Sequence, residues 1–331
     1  MNDEIEAGPV GLVADIGGTN ARFALTPLAG APALWRPLSL RCADFPGPVE
    51  AVRHYLREIA WEGPAPVAAV WAVAGPVGGE RLCMTNNPWS FALAEVAAAL
   101  GLERLELIND FGAVCWAVPG LGDDETLAVG GGRPQPGAPV AVVGPGTGLG
   151  VAAFLPTGQG ITVLESEGGH AGFAPSDEVE TALWARLRAR HGRVSWERLV
   201  SGPGLEALYA GLAERAGRSP APRSAAEVSA AALEGTDPDC VAALERFCGL
   251  LGSLAGDLAL IYGARGGVYI AGGIVPRFPA FFRDSAFRAR FEDKGRFRDY
   301  VAAIPTRLIL AEEPGLRGAA ACLRARHTVP S

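Results

Sequence analysis

Two parts of the chain share one pattern, in which an apolar run leads into a glycine-rich turn and a second apolar run follows. The first pair of runs covers residues 10–16 and 22–25, and the second pair covers 140–143 and 149–155. Short apolar runs that flank a glycine turn are typical of β-hairpins. The pattern therefore predicts two similar hairpins, one in each half of the chain.

The two turns contain Gly17, Gly18 and Thr19 in the first hairpin, and Gly146 and Thr147 in the second. A Rossmann unit or a P-loop needs a helix directly after its glycines, because the helix N-terminus holds the phosphates. Here a strand follows each turn, so both of those nucleotide folds are excluded. Rows of backbone N–H groups in such turns also bind anions. We expect the two turns to hold one phosphate chain together.

The rest of the pattern mixes strands and helices. Helix limits are indicated by Asp237-Pro238 at a start and by Gly101 at an end. This mixture predicts an α/β protein rather than an all-α or all-β one. The further strands are expected at 66–74, 104–108, 267–271 and 307–310, and the helices at 91–100, 111–118, 177–192, 238–263 and 315–326.

Length and composition point to a folded protein with a large core. The chain has 331 residues, which at about 150 residues per domain predicts two domains. Hydrophobic residues make up 49% and charged residues 20%, which excludes disorder for most of the chain. The acidic N-terminus lacks a signal pattern, and no uncharged apolar run is long enough to span a membrane. We expect a cytoplasmic protein with no membrane partner.

Charge and cysteine usage exclude several classes of function. The net charge is −7 without a basic stripe, so nucleic acid is not an expected partner. Lys294 is the only lysine among 29 basic residues, which weakens every mechanism that needs a dedicated lysine. The six cysteines include no C-x-x-C pair and predict free, mostly buried thiols. The four histidines show no zinc-site spacing.

Candidate chemistry in the first half lies at the ends of two strands. Asp15 stands in an apolar strand directly before the glycine turn, where it can orient Mg²⁺ or its waters, or simply cap the turn. Asn109 and Asp110 follow the strand at 104–108. A carboxylate there can accept a hydroxyl proton while the asparagine holds a neighbouring hydroxyl. Alternatively, Asp110 is the N-cap of the next helix.

Candidate residues in the second half allow similar alternatives. The turn at Thr147 is either a second phosphate site or an ordinary β-turn. Glu167 and His170 flank two glycines and can bind sugar hydroxyls, or they belong to a solvated loop. Gly272-Gly273 either meets an adenine face or is a plain turn. Glu197 has no local feature that sets it apart from a surface acid on a helix.

Taken together, these segments resemble the bacterial ATP-dependent glucokinases of the non-repressor type, which belong to the superfamily of hexokinase, actin and Hsp70. The resemblance covers nearly the whole chain. Seven motifs occur in the family's order, and together they are a far more specific signal than any one of them. They are found at residues 14–22, 107–111, 144–150, 167–170, 197–205, 269–274 and 291–297.

The resemblance implies two ribonuclease-H-like, actin-like ATPase domains of α/β type that flank a cleft and close on the sugar. The small domain would hold 1–120 plus 311–331, and the large domain 121–310. The implied reaction transfers the γ-phosphoryl of ATP to the 6-hydroxyl of glucose, with Asp110 as the general base and Mg²⁺ held by Asp15 through water. The implied glucose ligands are Asn109, Asp110, Glu167, His170 and Glu197. The implied ATP ligands are Ala14, Asp15, Ile16, Gly17, Gly18, Thr19, Gly146, Thr147, Gly272 and Gly273.

One departure from the family pattern is Ala14, where many relatives carry glycine, and its methyl group is expected to crowd the phosphate slightly. The zinc-binding cysteines of the repressor-type sugar kinases are absent, which argues against that sister family. Homodimers are common in the glucokinase family, although no interface can be read from this sequence.

Three alternatives to glucokinase differ in what they require of the sequence. A kinase of another hexose or of an N-acetylhexosamine differs only in pocket residues. A sugar-sensing regulator would need a DNA-reading module, for which about ten residues before the first strand leave no room. An actin-like filament or Hsp70-like chaperone would not need the Glu167–His170 loop.

Overall fold

The computed structural model has the mixed α/β fold that the apolar pattern predicts, and it describes residues 8–30, 32–75, 77–78, 81–84, 87–158 and 160–327. The strands are β1 Val10–Ile16, β2 Asn20–Pro27, β3 Trp35–Arg41, β4 Ala68–Val73, β5 Arg81–Cys83, β6 Ser90–Ala92, β7 Arg104–Asn109, β8 Thr126–Ala128, β9 Val140–Pro145, β10 Leu149–Thr157, β11 Gly160–Ser166, β12 Gly267–Ile270 and β13 Thr306–Ile309. The α-helices are α1 Pro48–Glu58, α2 Leu93–Leu100, α3 Asp110–Ala117, α4 Glu178–His191, α5 Gly202–Arg215, α6 Ala225–Glu234, α7 Pro238–Tyr262, α8 Pro279–Asp284, α9 Phe287–Glu292, α10 Arg298–Ala302 and α11 Pro314–His327.

These elements form two compact units. Unit 1 comprises Met1–Leu121 and Ala311–Ser331, and unit 2 comprises Gly122–Leu310. The main sheet of unit 1 has the strand order β3-β2-β1-β4-β7. Strand β1 pairs antiparallel with β2 and parallel with β4, and β4 pairs parallel with β7. Both faces of β1 are buried, which explains its nearly continuous apolar sequence.

The main sheet of unit 2 has the order β11-β10-β9-β12-β13-β8. Its first five strands repeat the arrangement of unit 1. Strands β11, β10 and β9 are antiparallel neighbours, like β3, β2 and β1. Strands β12 and β13 then follow in parallel on the other side of β9, as β4 and β7 do beside β1. The two predicted hairpins, β1–β2 and β9–β10, thus occupy equivalent places in two sheets of the same order. The expectation of two similar halves is confirmed at the level of topology.

Two helices anchor the cores. Helix α7 has 25 residues, is largely buried and lies in the core of unit 2, as its long apolar sequence predicts. Helix α11 packs into unit 1 with Leu316, Ala319 and Leu323 among its buried residues. There it touches α3 so closely that a Cβ at Gly318 would lie 1.7 Å from the carbonyl oxygen of Ala113. The C-terminal segment therefore completes the core of the first unit.

One predicted helix boundary is wrong. The helix expected over 91–100 begins only at Leu93, because residues Ser90–Ala92 form β6 and pair with β5. A two-stranded ribbon of three residues each is too short to stand out in the apolar pattern. The cysteines follow the expectation: none forms a disulfide, and all are buried except Cys83. Within the described ranges, no helix has the length and apolar character needed to cross a membrane.

Candidate functional site

The turn between β1 and β2 is held from two sides. The backbone N–H of Gly17 donates to the carbonyl oxygen of Asn20 at 2.9 Å. The carbonyl oxygen of Gly17 in turn accepts from Nδ2 of Asn87 at 2.7 Å. Asn87 is a buried side chain that the sequence reasoning missed, since it lies 70 residues from the turn and in no motif. It fixes one carbonyl of the turn and leaves the exposed Thr19 at the tip.

Asp15 lies where the hairpin meets the first turn of α11. It is paired across the hairpin with Arg22, whose Nη1 is 3.6 Å from its Oδ2, and Nε of Arg22 is 3.3 Å from Oε2 of Glu313. A Cβ at Gly315 would lie 2.8 Å from the same oxygen of Asp15. Burial raises the pKa of Asp15, the positive charge of Arg22 acts in the opposite direction, and Glu313 adds to the rise. Counting residues outward from the turn along both strands of the hairpin pairs Asp15 with Arg22. The sequence therefore contained a signal that could have identified Arg22 as the partner of Asp15.

The residues at Asp15 fit a magnesium ion that is shared with a nucleotide. Mg²⁺ in phosphoryl-transfer sites takes one or two carboxylates, the phosphates and water rather than a cage of protein ligands. The side chain of Asp15 keeps 23% of its surface exposed beside the glycine turn. In the ranges that the structure describes, no group of three or more potential ligands from histidine, cysteine and acidic residues occurs.

Ala14 and Ile16 differ from the rest of this motif. Both side chains are fully buried in the hydrophobic core of unit 1, where they pack on one face of β1. The methyl group of Ala14 therefore faces the core, whereas the expectation from sequence placed it against the phosphate. Any contact that these two positions make with a phosphate would have to come from the backbone.

Asn109 and Asp110 join the end of β7 to the start of α3. Oδ1 of Asn109 accepts from the backbone N–H groups of Phe111 at 2.9 Å and Gly112 at 3.1 Å, so Asn109 is the N-cap. Its Nδ2 donates to the carbonyl oxygen of Gly75 at 3.2 Å. The alternative in which Asp110 is the cap is therefore wrong. Asp110 is the first residue of α3, and its Oδ1 accepts from the N–H of Phe111 at 2.9 Å.

Strand register brings this pair to the edge of the sheet that carries the glycine turn. Asn109 pairs with Val73 on β4, and Val73 pairs with Ile16 on β1. Neighbouring strands are about 4.8 Å apart, so the backbones of Asn109 and Ile16 are separated by about 10 Å along this row. Asp110 and the turn after Ile16 therefore leave the same carboxyl edge of unit 1, which is where ligands bind in parallel sheets.

The second glycine turn, in unit 2, is part of a tightly packed backbone cluster. The N–H of Gly146 donates to the carbonyl oxygen of Gly148 at 2.8 Å. The N–H of Gly202, at the start of α5, donates to the carbonyl oxygen of Gly146, also at 2.8 Å. A Cβ at Gly144 would lie 2.7 Å from the nitrogen of Gly272. Gly272 itself has φ +85°, a conformation that favours glycine. The turn at 146–148, the N-terminus of α5 and the turn after β12 are thus held together in unit 2.

Three polar side chains converge beside this second turn. Nε2 of His170 lies 4.0 Å from Oε2 of Glu167, and Nδ1 of His170 lies 3.9 Å from Oε1 of Glu197. The other oxygen of Glu197 accepts from the N–H of Leu149 at 3.0 Å, which ties the cluster to the first residue of β10. Glu167 and His170 are more than half exposed, whereas Glu197 is 28% exposed. The cluster therefore offers two carboxylates and an imidazole next to the turn that carries Thr147.

Backbone pairing explains why Glu197 reaches His170 across 27 residues of sequence. Gly172 forms a β-bridge with Ser195, and the N–H of Trp196 donates to the carbonyl oxygen of Ala171 at 3.0 Å. The loop can lie on β10 because its glycines have no side chain: a Cβ at Gly169 would be 2.0 Å from the carbonyl oxygen of Leu149. The region expected to be a loop contains a one-turn 3₁₀ helix at Gly168–His170.

Local sequence reasoning found most of these residues but not Glu197. That residue lies in the short 3₁₀ helix Trp196–Arg198 rather than on the surface of an α-helix, and only the family resemblance marked it. Sequence reasoning also missed Arg193, whose Nη1 donates to the carbonyl oxygen of His170 at 2.8 Å. The predicted residues thus form one group in each unit: Asp15, Gly17, Gly18, Thr19, Asn109 and Asp110 in unit 1, and Gly146, Thr147, Glu167, His170, Glu197, Gly272 and Gly273 in unit 2.

Comparison with known proteins identifies the family of the chain. The family model described as glucokinase matches residues 12–326. The glucokinase of Aromatoleum aromaticum is 49% identical over 94% of either chain. A crystal structure described as glucokinase from an Antarctic psychrotroph is 40% identical, has a TM-score of 0.85, and the alignment covers 95% of this chain and 98% of that one.

A more distant structure confirms the fold class. It is described as a ROK family glucokinase from Streptomyces griseus in complex with glucose and AMPPNP, with 20% identity, a TM-score of 0.65 and coverage of 94% of this chain and 98% of that one. The expectation that the protein is a sugar kinase is confirmed by the family match and by relatives of the same name over nearly the whole chain. By sequence and by fold, the chain belongs to the glucokinase family.

Proposed function

We propose that the protein transfers the γ-phosphoryl group of ATP to the 6-hydroxyl of glucose, giving glucose 6-phosphate and ADP. The observation that carries this proposal is the cluster of Glu167, His170 and Glu197, hydrogen-bonded through Glu197 to Leu149 at the second glycine turn. Hydroxyl-binding side chains stand beside a turn of phosphate-binding type. A kinase that acts on a polyhydroxylated acceptor needs this combination.

Asp110 is the proposed general base. It would accept the proton of the 6-hydroxyl as that oxygen bonds to the γ-phosphorus and the bond to the β-phosphate oxygen breaks. Support comes from its place at the carboxyl end of β7, level with the turn after β1. Asn109 is rigidly oriented as the N-cap of α3, so its amide can hold a neighbouring sugar hydroxyl. Glu167, His170 and Glu197 would bind the remaining hydroxyls.

The donor would be held by backbone groups more than by side chains. The turns at Gly17–Thr19 and Gly146–Thr147 supply N–H donors for the phosphates, and Gly272 and Gly273 allow the adenosine to approach the backbone. Asp15 would hold Mg²⁺ through water, and the bound ion would neutralise charge on the phosphate chain. The only lysine, Lys294, is engaged with Ser253 and Asp257, which supports phosphate binding without a lysine.

Substitution of Asp110 tests the assignment of the base. In a coupled assay for glucose 6-phosphate with Mg-ATP, Asp110→Ala is expected to lower kcat by about 10³-fold or more, because both proton acceptance and positioning of the acceptor are lost. Glucose affinity, measured by intrinsic fluorescence, should fall much less than kcat. A near-normal kcat in this variant would mean that another group is the base.

A matched control removes an exposed carboxylate from the same unit. Asp44 lies in a short 3₁₀ helix and is exposed, so Asp44→Ala should leave kcat within about twofold. The same assay with mannose, fructose and an N-acetylhexosamine, compared by kcat/KM, tests the sugar. Polyphosphate and ADP as rival donors test the nucleotide. Turnover that favours another sugar or donor would replace glucose or ATP in the proposal but retain the sugar kinase.

A further inference from the structure

A cavity of about 570 Å³ lies within unit 2, on the side of the second glycine turn that faces α4 and α5. This volume is within the range of small-molecule sites in proteins. Thr147 and Glu197 line one part of it, next to the cluster described above. The walls are formed by the C-terminal half of α4, one face of α5 and the segment 220–223.

Three cationic side chains of this cavity have no carboxylate partner. Arg190 and His191 end α4, and Arg198 follows Glu197 at the end of the short 3₁₀ helix Trp196–Arg198. Among the described residues, no carboxylate lies within ion-pair distance of Arg190, His191 or Arg198, nor does any of these three side chains form a hydrogen bond there. Their side chains are exposed toward the cavity and solvent.

The other charged groups of the cavity make contacts of their own. Arg186 binds Glu214 through two hydrogen bonds of 2.8 Å, and Arg223 lies 3.1 Å from Asp237. The carboxylate of Glu206 accepts from the backbone N–H of Ala225 at 3.1 Å. None of these carboxylates is paired with Arg190, His191 or Arg198, and neither is that of Glu197, which also lines the cavity but contacts Leu149 and His170.

The three unpaired groups act on one another. Partial desolvation, followed by the positive charges of Arg198 and Arg190, lowers the pKa of His191. The helix dipole favours cations such as Arg190 and His191 in the last turn of α4, but like charges held together still repel, and their exposure keeps that cost small. An anion bound among them would remove the repulsion and would form charge-assisted hydrogen bonds with two guanidinium groups.

We propose that this cavity binds a phosphate-bearing small molecule, whose anionic group is held by Arg190, His191 and Arg198. The remaining wall suits the body of such a ligand, since Ala207, Ala210, Pro220 and Pro222 present largely apolar surface. The ligand class is a phosphorylated metabolite of small size, such as a sugar phosphate or a nucleotide. The site adjoins the groups assigned to phosphoryl transfer, because Thr147 and Glu197 line both.

Binding can be measured without turnover. The protein has four histidines, so a carbon–proton spectrum of histidine-labelled enzyme should resolve His191, with His191→Gln as the assignment. Inorganic pyrophosphate is titrated without glucose, ATP or magnesium. We expect a saturable shift of the His191 signal, and a Kd at least about tenfold higher in the double variant Arg190→Ala/Arg198→Ala, the scale of one lost charge-assisted hydrogen bond.

The matched control is Arg188→Ala, which removes the same charge from the same helix. Arg188 lies over the ring of Trp184, 5.0 Å from its centroid, and is not part of the cavity wall. Its Kd should stay within about twofold of the original. Equal Kd values for the control and the double variant, or an unmoved His191 signal, would overturn the proposal. A shift confined to His170 would place the anion at the transfer site and would also overturn it.

Glucose 6-phosphate and ADP, titrated in the same way, separate the two sources of the ligand. Tighter binding of glucose 6-phosphate would identify a sugar phosphate, and tighter binding of ADP a nucleotide; either result supports the site. The titration is repeated with Asp110→Ala. Because Asp110 belongs to unit 1, the anion site should remain in that variant whether or not Asp110 is the base for transfer to glucose.

Discussion

Gly148 illustrates how a single missing side chain preserves the site. A Cβ at this position would lie 2.7 Å from Oε2 of Glu197, the oxygen that accepts from the N–H of Leu149. Real Cβ atoms essentially never approach an oxygen so closely. An alanine would therefore push the carboxylate of Glu197 away from Leu149 and from His170.

Gly148→Ala is expected to raise KM for glucose and to lower kcat/KM by about 10- to 100-fold, corresponding to about 1.4–2.8 kcal/mol for a displaced charged hydrogen-bond acceptor. Steady-state kinetics with Mg-ATP measures this change. Gly131→Ala is the control, because a Cβ there would meet nothing within 4 Å and its backbone φ is not positive. Unchanged KM in Gly148→Ala would remove Glu197 from the glucose ligands.

At the scale of the element, α3 depends on the side chain of Asn109. That side chain caps two N–H groups of the helix and also contacts the carbonyl oxygen of Gly75. The same helix begins with Asp110 and is packed against α11 through the close contact at Gly318. The cap at Asn109 and the proposed base Asp110 are thus adjacent residues, and a pair of variants at Asn109 can separate its capping role from its proposed role in sugar binding.

Asn109→Ala should lower the free energy of unfolding by about 1 kcal/mol, because the N-cap is lost. Asn109→Ser retains a capping oxygen and should unfold within about 0.5 kcal/mol of the original protein. Both variants lose the amide, so both should bind glucose more weakly. Denaturant unfolding and glucose KM measured on the same samples test this. A serine variant with normal KM would show that Asn109 only caps the helix.

At the scale of the whole molecule, the structure shows where the single lysine of the sequence lies and which groups it binds. The single lysine, Lys294, donates from Nζ to the carbonyl oxygen of Ser253 at 2.9 Å and to Oδ1 of Asp257 at 2.7 Å, both on α7. Its side chain is 11% exposed. Lys294 therefore fixes the segment after α9 to the central helix of unit 2, which is a structural role.

Lys294→Gln is expected to lower the free energy of unfolding by about 1–3 kcal/mol, since a largely buried charged hydrogen bond is lost. Its kcat should stay within about threefold of the original when measured well below the unfolding transition. The comparison of denaturation midpoint with kcat is the readout. A large fall in kcat without loss of stability would show that phosphoryl transfer uses this lysine after all.

Sequence alone determined the two hairpins, the α/β class and most helices and strands, because apolar periodicity and turn residues report on neighbours a few positions apart. It also placed Asp15 and Asp110 at strand ends. Only the tertiary structure decided that Asn109 rather than Asp110 is the cap, and that Ala14 faces the core.

The same holds for contacts between distant residues. Glu197 lies beside His170, and α11 completes the core around β1. Three cations without an ion-pair partner among the described residues line one cavity. Nothing in the local sequence pattern predicts any of these contacts. Such contacts depend on strand register and on how closely glycines let backbones approach. Those quantities arise when segments far apart in the chain pack together, so no window of sequence contains them.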